Sequence, residues 1–497
     1  MHEAAVADVI VVGAGNAALC AALAARDAGA RVLILEAAPE SEAGGNSRYT
    51  AGAMRVCFKG VEDLLTLVPD LSPDMIARTD FGSYTEQQFF DDMFRVTEFR
   101  TDPEMVDTLV RRSLPTLQWM QGQGVRFQTS HGRQAYLVDG RFKFWGGLAA
   151  EVWGGGPGLV EMEHAAARRK GIEILFETPA LDLVHDDDGV KGVVALRDGK
   201  RRQLRAKAVI LACGGFESNP EMRARYLGPN WDLAKVRGTR FNMGLGHRMA
   251  LAIDAMPHGQ WSGAHAVGWD QNAPPFGDLA VGDAFQKHSY PFGIMVNARG
   301  ERFVDEGADF RNYTYAKYGA AILAQPGQFA WQVFDAQIIP MLRDEYRIRE
   351  VTKVSAQSLE ELASKLDGVN AAGFLRTVTQ YNKAVRKDVP FNPNIKDGRS
   401  ALDLPVPKSN WANTIEKAPF EAYAVTCGVT FTFGGLKIDA TGNVQNTIGG
   451  AIKGLYAAGE IVGGLFYNNY PGGTGLTAGS VFGKIAGEGA AAWARTQ

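Results

Sequence analysis

Residues 8–36, DVIVVGAGNAALCAALAARDAGARVLILE, decide the fold. The runs DVIVV and ARVLILE are short, apolar and rich in β-branched residues, which is typical of buried strands. Between them, small and apolar residues recur at helical spacing at Ala18, Leu19, Ala22, Leu23 and Ala25. The stretch therefore predicts a strand–helix–strand unit of an α/β fold.

The turn between the first strand and the helix has the pattern GxGxxA, formed by Gly13, Gly15 and Ala18. The first glycine permits a tight turn, and the second lets the backbone approach a pyrophosphate at the helix N-terminus. Glu36 ends the second strand, 21 residues after Gly15, where a carboxylate can accept a hydrogen bond from a ribose hydroxyl. The combination predicts a dinucleotide site; the alternative is a glycine-rich turn without a ligand.

NAD and FAD both fit this unit. The loop after Glu36, AAPESEAGGNSRYTAGAM, carries a second glycine pair that has no use in binding NAD. It suits a cofactor that continues past the pyrophosphate into a ribityl chain and a flavin ring. Near the C-terminus, GLYAAGE places Gly459 and Glu460 after a predicted strand, where a carboxylate can hold ribityl hydroxyls. These features favour FAD.

Composition limits the classes of function. The chain has 497 residues, of which 46% are hydrophobic and 22% charged, as expected of a protein with a large core and more than one ordinary domain. A net charge of −3 gives no reason to expect a nucleic acid or an anionic membrane as partner. The four cysteines form no CxxC or CxxCH motif, so we expect no metal site and no covalent haem. Free thiols suggest a reducing compartment.

The ends and the middle of the chain differ in their predicted secondary structure. No apolar run reaches the roughly 18 residues of a membrane span, and MHEAAVADVIVVG lacks the features of a signal peptide, which predicts a cytoplasmic protein. RAKAVILACGGF and GLYAAGE predict further strands of the first layer, at opposite ends of the sequence. Residues 260–428 are rich in aromatics and contain amphipathic segments such as SLEELASKL and FLRTVTQYNKAVRK, which predict a mixed α+β insertion.

Several motifs together resemble the flavoprotein family of fumarate reductase and succinate dehydrogenase: GAGNAA, GGNS, ACGGF, IMVNARGERFVDEGADFR and GLYAAGEIVGG before a glycine-rich helix start. They cover nearly the whole chain in the family's order. Within the family, the N-terminal run and GGNSRYTAGAM are most similar to the tricarballylate dehydrogenase group. The resemblance implies an α/β fold in which a Rossmann-like FAD-binding domain (GR2-type), residues 1–258 and 429–497, is interrupted by an α+β capping domain, residues 259–428.

The resemblance also implies which residues hold FAD. Succinate dehydrogenases tether the cofactor through a histidine after the glycine pair, but residues 46–54 contain none, so we expect non-covalent FAD. The cofactor-binding residues implied are Gly13, Gly15, Asn16, Ala17, Glu36, Ala37, Gly44, Gly45, Asn46, Ser47, Thr50, Ala51, Gly52, Ala180, Ala212, Cys213, Gly214, Gly459, Glu460, Gly473, Thr474, Gly475 and Leu476.

The stretch FYNNYPGGTGLTAGSVFG, residues 466–483, predicts a helix that starts near Thr474. A helix N-terminus offers free N–H groups and the positive end of a dipole. The family places the pyrimidine edge of the flavin there, where this end stabilises the negative charge left when hydride reaches N5. The alternative is an ordinary N-cap whose glycines allow close packing.

Proton transfer has several candidates. Arg311 corresponds to the arginine with which the family shuttles a proton to or from substrate carbon. The family's acidic relay pair is missing, because residues 286–289 are QKHS. Arg311 therefore either transfers the proton or binds a carboxylate, and Tyr290, Tyr315 and Tyr470 are rivals for the proton.

Tyr470 departs from the family, in which fumarate reductases carry an arginine that clamps a substrate carboxylate. NNYPGG is closer to the YPG segment of 3-ketosteroid dehydrogenases, and a phenol donates a single hydrogen bond. His265 matches a substrate-binding histidine, whereas the family's second histidine is absent and Thr432 is the nearest remaining donor.

Two further groups of residues have two interpretations each. Tyr136, Trp145 and Trp153 line the cleft or belong to the core. Arg237 and Arg240 lie near the cofactor or form surface salt bridges.

The sequence thus predicts an FAD-dependent oxidoreductase that forms or reduces a C=C bond next to a carboxylate or ketone. The substrate that the resemblance implies is tricarballylate, which would give cis-aconitate. The alternatives are a desaturase of ketones or cyclic substrates and a flavoprotein subunit that hands electrons to a membrane partner. In each case reoxidation needs an external electron acceptor.

Overall fold

The computed structural model of the protein describes residues 6–497. Residues 1–5, on which part of the cytoplasmic prediction rests, lie outside it, and that location stays a prediction. No helix within residues 6–497 is long and apolar enough to cross a bilayer. Over the same range, no group of three or more His, Cys, Asp or Glu side chains is placed to hold a metal ion.

Thirteen α-helices lie in the described part of the chain. They are α1 (Asn16–Asp27), α2 (Val61–Leu65), α3 (Pro73–Ala77), α4 (Glu86–Val96), α5 (Pro103–Gln123), α6 (His131–Gln134), α7 (Gly155–Arg169), α8 (Pro220–Met222), α9 (Leu245–Leu251), α10 (Tyr315–Leu323), α11 (Leu359–Lys365), α12 (Ala371–Ala384) and α13 (Thr474–Thr496).

The strands of residues 6–497 form four sheets. They are β1 (Ala7–Val12), β2 (Val32–Leu35), β3 (Ala53–Met54), β4 (Thr79–Asp80), β5 (Phe127–Thr129), β6 (Tyr136–Val138), β7 (Arg141–Lys143), β8 (Ala150–Val152), β9 (Glu173–Leu175), β10 (Ala180–Asp186), β11 (Gly189–Arg197), β12 (Lys200–Leu211), β13 (Lys235–Val236), β14 (Pro257–Asp270), β15 (Ile294–Val296), β16 (Phe329–Phe334), β17 (Lys353–Ala356), β18 (Phe420–Leu436), β19 (Asn443–Gln445) and β20 (Ala451–Ala457).

The largest sheet joins the two ends of the chain. Strand β1 lies between β2 and β12 and is parallel to both, and β20 pairs in parallel with β12. Strand β9 extends the sheet beyond β2, and the β10–β11 hairpin extends it on the other side. The predicted α/β layer, with strands from opposite ends of the sequence, is confirmed.

A second sheet is built around the antiparallel pair β14–β18, with β16 and β17 pairing along β18. Helices α11 and α12 confirm the two predicted amphipathic segments. Strand β18 runs through residue 428, the predicted end of the capping domain. The division into residues 1–258, 259–428 and 429–497 stays a prediction. Helices α2 to α7, between residues 53 and 172, were not anticipated from the sequence.

Helices α1 and α13 cross through a stripe of small residues. A Cβ atom added to Gly483 would lie 2.5 Å from the carbonyl oxygen of Ala17, and one added to Gly487 would overlap that of Ala21. Asn16 Nδ2 donates to Leu476 O at 2.9 Å, which ties the first turns of the two helices together. The crossing brings both N-termini to the same side of the sheet.

We expect Gly483→Ala to lower the melting temperature, although alanine favours a helix over glycine by about 1 kcal/mol. The added methyl group would push the backbones apart, at a cost of about 1–3 kcal/mol. The matched control is Gly122→Ala in α5, where nothing lies within 4 Å of the added atom. It should raise the melting temperature, so shifts of the same sign in both variants would contradict the proposed packing.

Candidate active site

Two adjoining cavities lie at the N-terminal ends of α1 and α13. Their volumes, including the space open to solvent, are about 1330 Å³ and about 880 Å³. The residues that line both of them are Asn16, Ala17, Asn46, Ser47, Gly459 and Glu460. The two cavities therefore form one elongated site with a joint at these residues.

The smaller cavity is lined by most of the residues predicted to bind the cofactor. The residues predicted to bind the cofactor that line only this cavity are Gly13, Gly15, Glu36, Ala37, Gly45, Ala180, Ala212, Cys213 and Gly214. Gly13 has φ of +106°, and a Cβ atom there would overlap the carbonyl oxygen of Ala212. A side chain at this turn is thus excluded, as a tight strand–helix turn requires.

Glu36 lies at the edge of the smaller cavity with its carboxyl group buried. Oε2 accepts from the backbone N–H of Ala14 and Oε1 from that of Ala38, each at 2.8 Å. Burial raises the pKa of Glu36, and the backbone hydrogen bonds oppose this. The contact with Ala14 fixes the carboxyl group beside the glycine turn, within reach of a ligand bound there.

A pair of buried carboxyl groups lies at the joint of the two cavities. Glu217 Oε1 accepts from Asn46 Nδ2 at 2.6 Å, and Glu460 Oε1 accepts from the backbone N–H of Thr432 at 2.8 Å. Burial raises the pKa of both groups, and the pKa of Glu460 also rises because Glu217 is its neighbour. Two adjacent buried carboxyls cannot both be ionised, so we expect them to share a proton at neutral pH.

The N-terminus of α13 forms one wall of the larger cavity. Its N-cap, Gly473, has φ of +79° and donates its backbone N–H to Tyr470 Oη at 2.7 Å. Gly475 and Leu476 follow in the first turn and line the cavity. Behind the loop, the buried Arg55 donates Nε–H to Gly472 O at 2.9 Å. The loop is therefore held from both sides.

Aromatic rings form a second wall. The ring of His265 stacks on Phe431 at 5.1 Å between centroids and meets Tyr315 and Tyr470 edge-on at 5.0 and 4.9 Å. Neither nitrogen of His265 has a hydrogen-bond partner within residues 6–497. Burial, and then the nearby Arg237, lower the pKa of His265 well below its usual value. The imidazole is neutral and free to bind a ligand.

Arg311 lies in the wall of the larger cavity. Nη1 is 3.2 Å from His288 Nδ1, and Nη2 donates to Arg133 O at 2.6 Å. Burial, followed by the positive charge of Arg343, lowers its pKa. No carboxylate of residues 6–497 forms an ion pair with Arg311.

Of the two interpretations considered for Arg237 and Arg240, a place in the site applies to Arg237 and a surface salt bridge applies to Arg240. Arg237 lines the cavity and donates Nε–H to Asp283 Oδ1 at 2.7 Å. Arg240 is exposed and forms a surface salt bridge with Glu42 at 2.8 Å. Only Arg237 is therefore part of the site.

Some predicted residues lie elsewhere or are already engaged. Tyr290 does not line the cavity; its hydroxyl is 2.7 Å from Thr314 Oγ1 in the core behind the wall. The hydroxyl of Thr432 lines the cavity but is 3.2 Å from Glu460 Oε1. Gly44, Gly52 and Thr474 pack behind the lining without forming part of it. Thr50, Ala51, Gly473, Gly475 and Leu476 do line the larger cavity.

Other polar residues of the cavity were not predicted as site residues. They are Arg133, Gln134, Asp283, Gln286, His288 and Asn312, with Glu217 at the joint. Gln286 and His288 belong to the segment QKHS, which stands where the family has its acidic relay pair. That difference is the one feature of the sequence that could have pointed to them. Arg133 and Gln134 come from α6, which carries no motif.

The site fits FAD. It is elongated and has two lobes, a helix N-terminus lies at each lobe, and Glu36 is fixed beside the glycine turn. The long loop after Glu36 contributes Asn46 and Ser47 to the joint, where a cofactor must pass from the nucleotide lobe to the ring lobe. When bound, FAD supplies two-electron redox chemistry.

Comparison with known proteins agrees with this assignment. The family model described as "FAD binding domain" matches residues 8–476. "Probable fumarate reductase Ifc3" of Shewanella frigidimarina is 31% identical, over 97% of this chain and 74% of the relative. "3-oxosteroid 1-dehydrogenase" of Mycolicibacterium smegmatis is 28% identical over 66% of this chain and 61% of the relative.

Among solved structures, the open conformation of a flavocytochrome c3 fumarate reductase is similar with a TM-score of 0.71 and 28% identity. The match covers 98% of this chain and 78% of that structure. The chain therefore belongs to the FAD binding domain family and is a fumarate reductase-like, FAD-dependent oxidoreductase.

Proposed function

We propose that the enzyme forms or reduces a C=C bond next to a carboxylate. The observation that carries this is the charge of the larger cavity. Arg133, Arg237 and Arg311 line it, against Asp283 and the largely neutral Glu460. A cavity with this excess of positive charge favours an anionic substrate, and a guanidinium can bind a carboxylate through two hydrogen bonds.

The α13 N-terminus supports the redox step. The first N–H groups of a helix have no acceptor within the helix, so those of Gly475 and Leu476 are available to a ligand in the cavity. Together with the helix dipole they stabilise negative charge that develops there. The rings of Phe431 and Tyr470 line the same region.

Arg311 is our candidate for the proton-transferring group. An arginine is a poor base in water, but desolvation and neighbouring cations lower its pKa here. Tyr470 is the candidate for polarising the substrate. Its oxygen accepts the N–H of Gly473, which leaves its own proton free to donate to a carbonyl or carboxylate oxygen.

For the substrate itself we propose tricarballylate, oxidised to cis-aconitate by non-covalently bound FAD. Its several carboxylates suit a cavity whose lining holds more arginines than acidic side chains. A second candidate is a cyclic ketone, favoured by Tyr470 within the ring cluster of His265, Tyr315 and Phe431 and by the 3-oxosteroid dehydrogenase relative. In either case an external acceptor reoxidises the enzyme.

The substrate class is tested by mixing the purified holoprotein with tricarballylate, succinate or a 3-ketosteroid without oxygen. We expect the yellow absorbance to bleach with tricarballylate, because the arginines bind its carboxylates. Bleaching by the steroid alone would contradict the carboxylate proposal, and bleaching by none would favour an electron-transfer module.

The roles of Arg311 and Tyr470 are tested by Arg311→Lys and Tyr470→Phe. If Arg311 transfers the proton, its variant should lose about 10²–10⁴-fold in the rate of FAD reduction while retaining FAD. Tyr470→Phe should mainly weaken substrate binding. Arg240→Lys, which changes a surface arginine, is the matched control, and parental rates in both site variants would refute the assignment.

The pH dependence follows from the same groups. The pKa values of His265 and His288 lie well below 6.5, so both rings are neutral across the neutral range. The base form of Arg311 grows with pH, and the rate of substrate oxidation should rise about tenfold per pH unit on the alkaline side. A break in the stopped-flow rate near pH 6.5 that disappears in His265→Gln would contradict this account.

A further inference from the structure

A second, smaller cavity lies on the other side of Arg311. Its volume, including the space open to solvent, is about 280 Å³. Its aromatic walls are formed by Tyr136, Trp145, Phe292, Phe310 and Trp411. Tyr136 and Trp145, which the sequence analysis considered for the cleft, thus line this space rather than the larger cavity, whereas Trp153 is exposed. Arg311 and His288 line both cavities and separate them.

The hydrogen bonds of Arg311 leave one route for a proton. Nη2 donates to the backbone carbonyl of Arg133, which cannot carry a proton onward. Nη1 is 3.2 Å from His288 Nδ1. Within the described residues, His288 is therefore the only titratable side chain hydrogen-bonded to Arg311.

Two other titratable groups of this region, Asp283 and Lys287, bond to residues other than Arg311. Asp283 Oδ1 accepts from Arg237. Lys287 forms a buried ion pair with Asp270 at 3.7 Å and donates to three backbone carbonyls. Neither is hydrogen-bonded to Arg311, so neither can replace the missing acidic relay.

His288 has the protonation state and the hydrogen bonds that a proton relay needs. It is buried, and cations face it from several elements: Arg311, Arg237 and Arg133, with His265 close by. Burial and these charges keep the ring neutral. Because Nδ1 accepts from Arg311, Nε2 carries the hydrogen, and Nε2 has no acceptor among residues 6–497.

The second cavity can supply that acceptor. The indole N–H of Trp145, in its wall, also has no partner within the described part of the chain. Both unsatisfied groups are donors, and the cavity lining contains no Asp or Glu. A water molecule is the smallest ligand that would satisfy such donors and also exchange protons with solvent.

We propose that His288 is the relay through which Arg311 exchanges its proton with solvent, by way of the second cavity. The inference rests on the proposed role of Arg311. In the oxidative direction a proton passes from Arg311 Nη1 to His288 Nδ1 as the proton on Nε2 leaves to water. One proton enters the ring and one leaves, so no charge accumulates on it. In the reductive direction the same transfers run in reverse and return a proton to Arg311.

The test is chemical rescue of holoenzyme His288→Ala, in which both cavities border the space left by the ring. We expect FAD reduction by substrate to fall about 10²-fold with FAD content retained. Imidazole should restore the rate, whereas a weakly basic azole of the same shape should not. The matched control is His265→Ala, which removes a buried histidine of the larger cavity only and should show no imidazole rescue.

Three results would overturn the relay: a parental rate in His288→Ala, equal rescue by both azoles, or rescue of His265→Ala. If His288→Ala fails to bind FAD, His288→Gln decides the matter, because glutamine can accept from Arg311 but cannot pass a proton. A parental rate in that variant refutes the relay. Failure of Arg311→Lys to slow the parent reaction refutes the proposed function instead, so the two failures are distinguishable.

Discussion

The close crossing of α1 and α13 is the constraint on which the site depends. Gly483 lets the backbone of α13 approach Ala17, and Asn16 ties the first turns of the two helices together. Helices held in this way cannot slide, so their N-termini keep a fixed separation. One N-terminus lies at the smaller cavity and the other at the larger, so we expect an elongated anionic cofactor to be held at both. The parallel sheet fixes the position of both helices. Strands β1 and β20 lie on either side of β12, and the helices that follow them begin at the same edge of the sheet.

The two parts of the site differ in charge. At the joint, Glu217 and Glu460 are buried together, and because we expect them to share a proton, the pair carries about one negative charge instead of two. Beyond it, the arginines of the larger cavity produce positive potential, to which the neutral rings of His265 and His288 add no charge. Among residues 6–497, Arg311 has no ion-pair partner, whereas Arg237 is neutralised by Asp283. A half-buried guanidinium without an ion-pair partner is costly unless a ligand or a reaction uses it.

The sequence predicts the nucleotide half of the site well and the substrate half poorly, for a physical reason. The turn at Gly13, the acid at Glu36 and the helix start at Thr474 depend on local geometry, which leaves a pattern in consecutive residues. The substrate cavity is assembled from α6, the segment around His288 and the loop at Tyr470, which are distant along the chain. Glu217 and Arg133 acquire their positions only through tertiary packing. Tyr290 is a candidate in the sequence because a tyrosine can transfer a proton, but it packs into the core.

The most direct measurement is a crystal structure of the protein with FAD. Our account predicts pyrophosphate oxygens within hydrogen-bonding distance of the α1 N-terminus and the pyrimidine edge of the flavin against the N–H groups of Gly475 and Leu476. The substrate face of the ring should then look toward Arg311. Electron density with the flavin in the lobe beside Glu36, or with the ring turned away from the α13 N-terminus, would contradict the account.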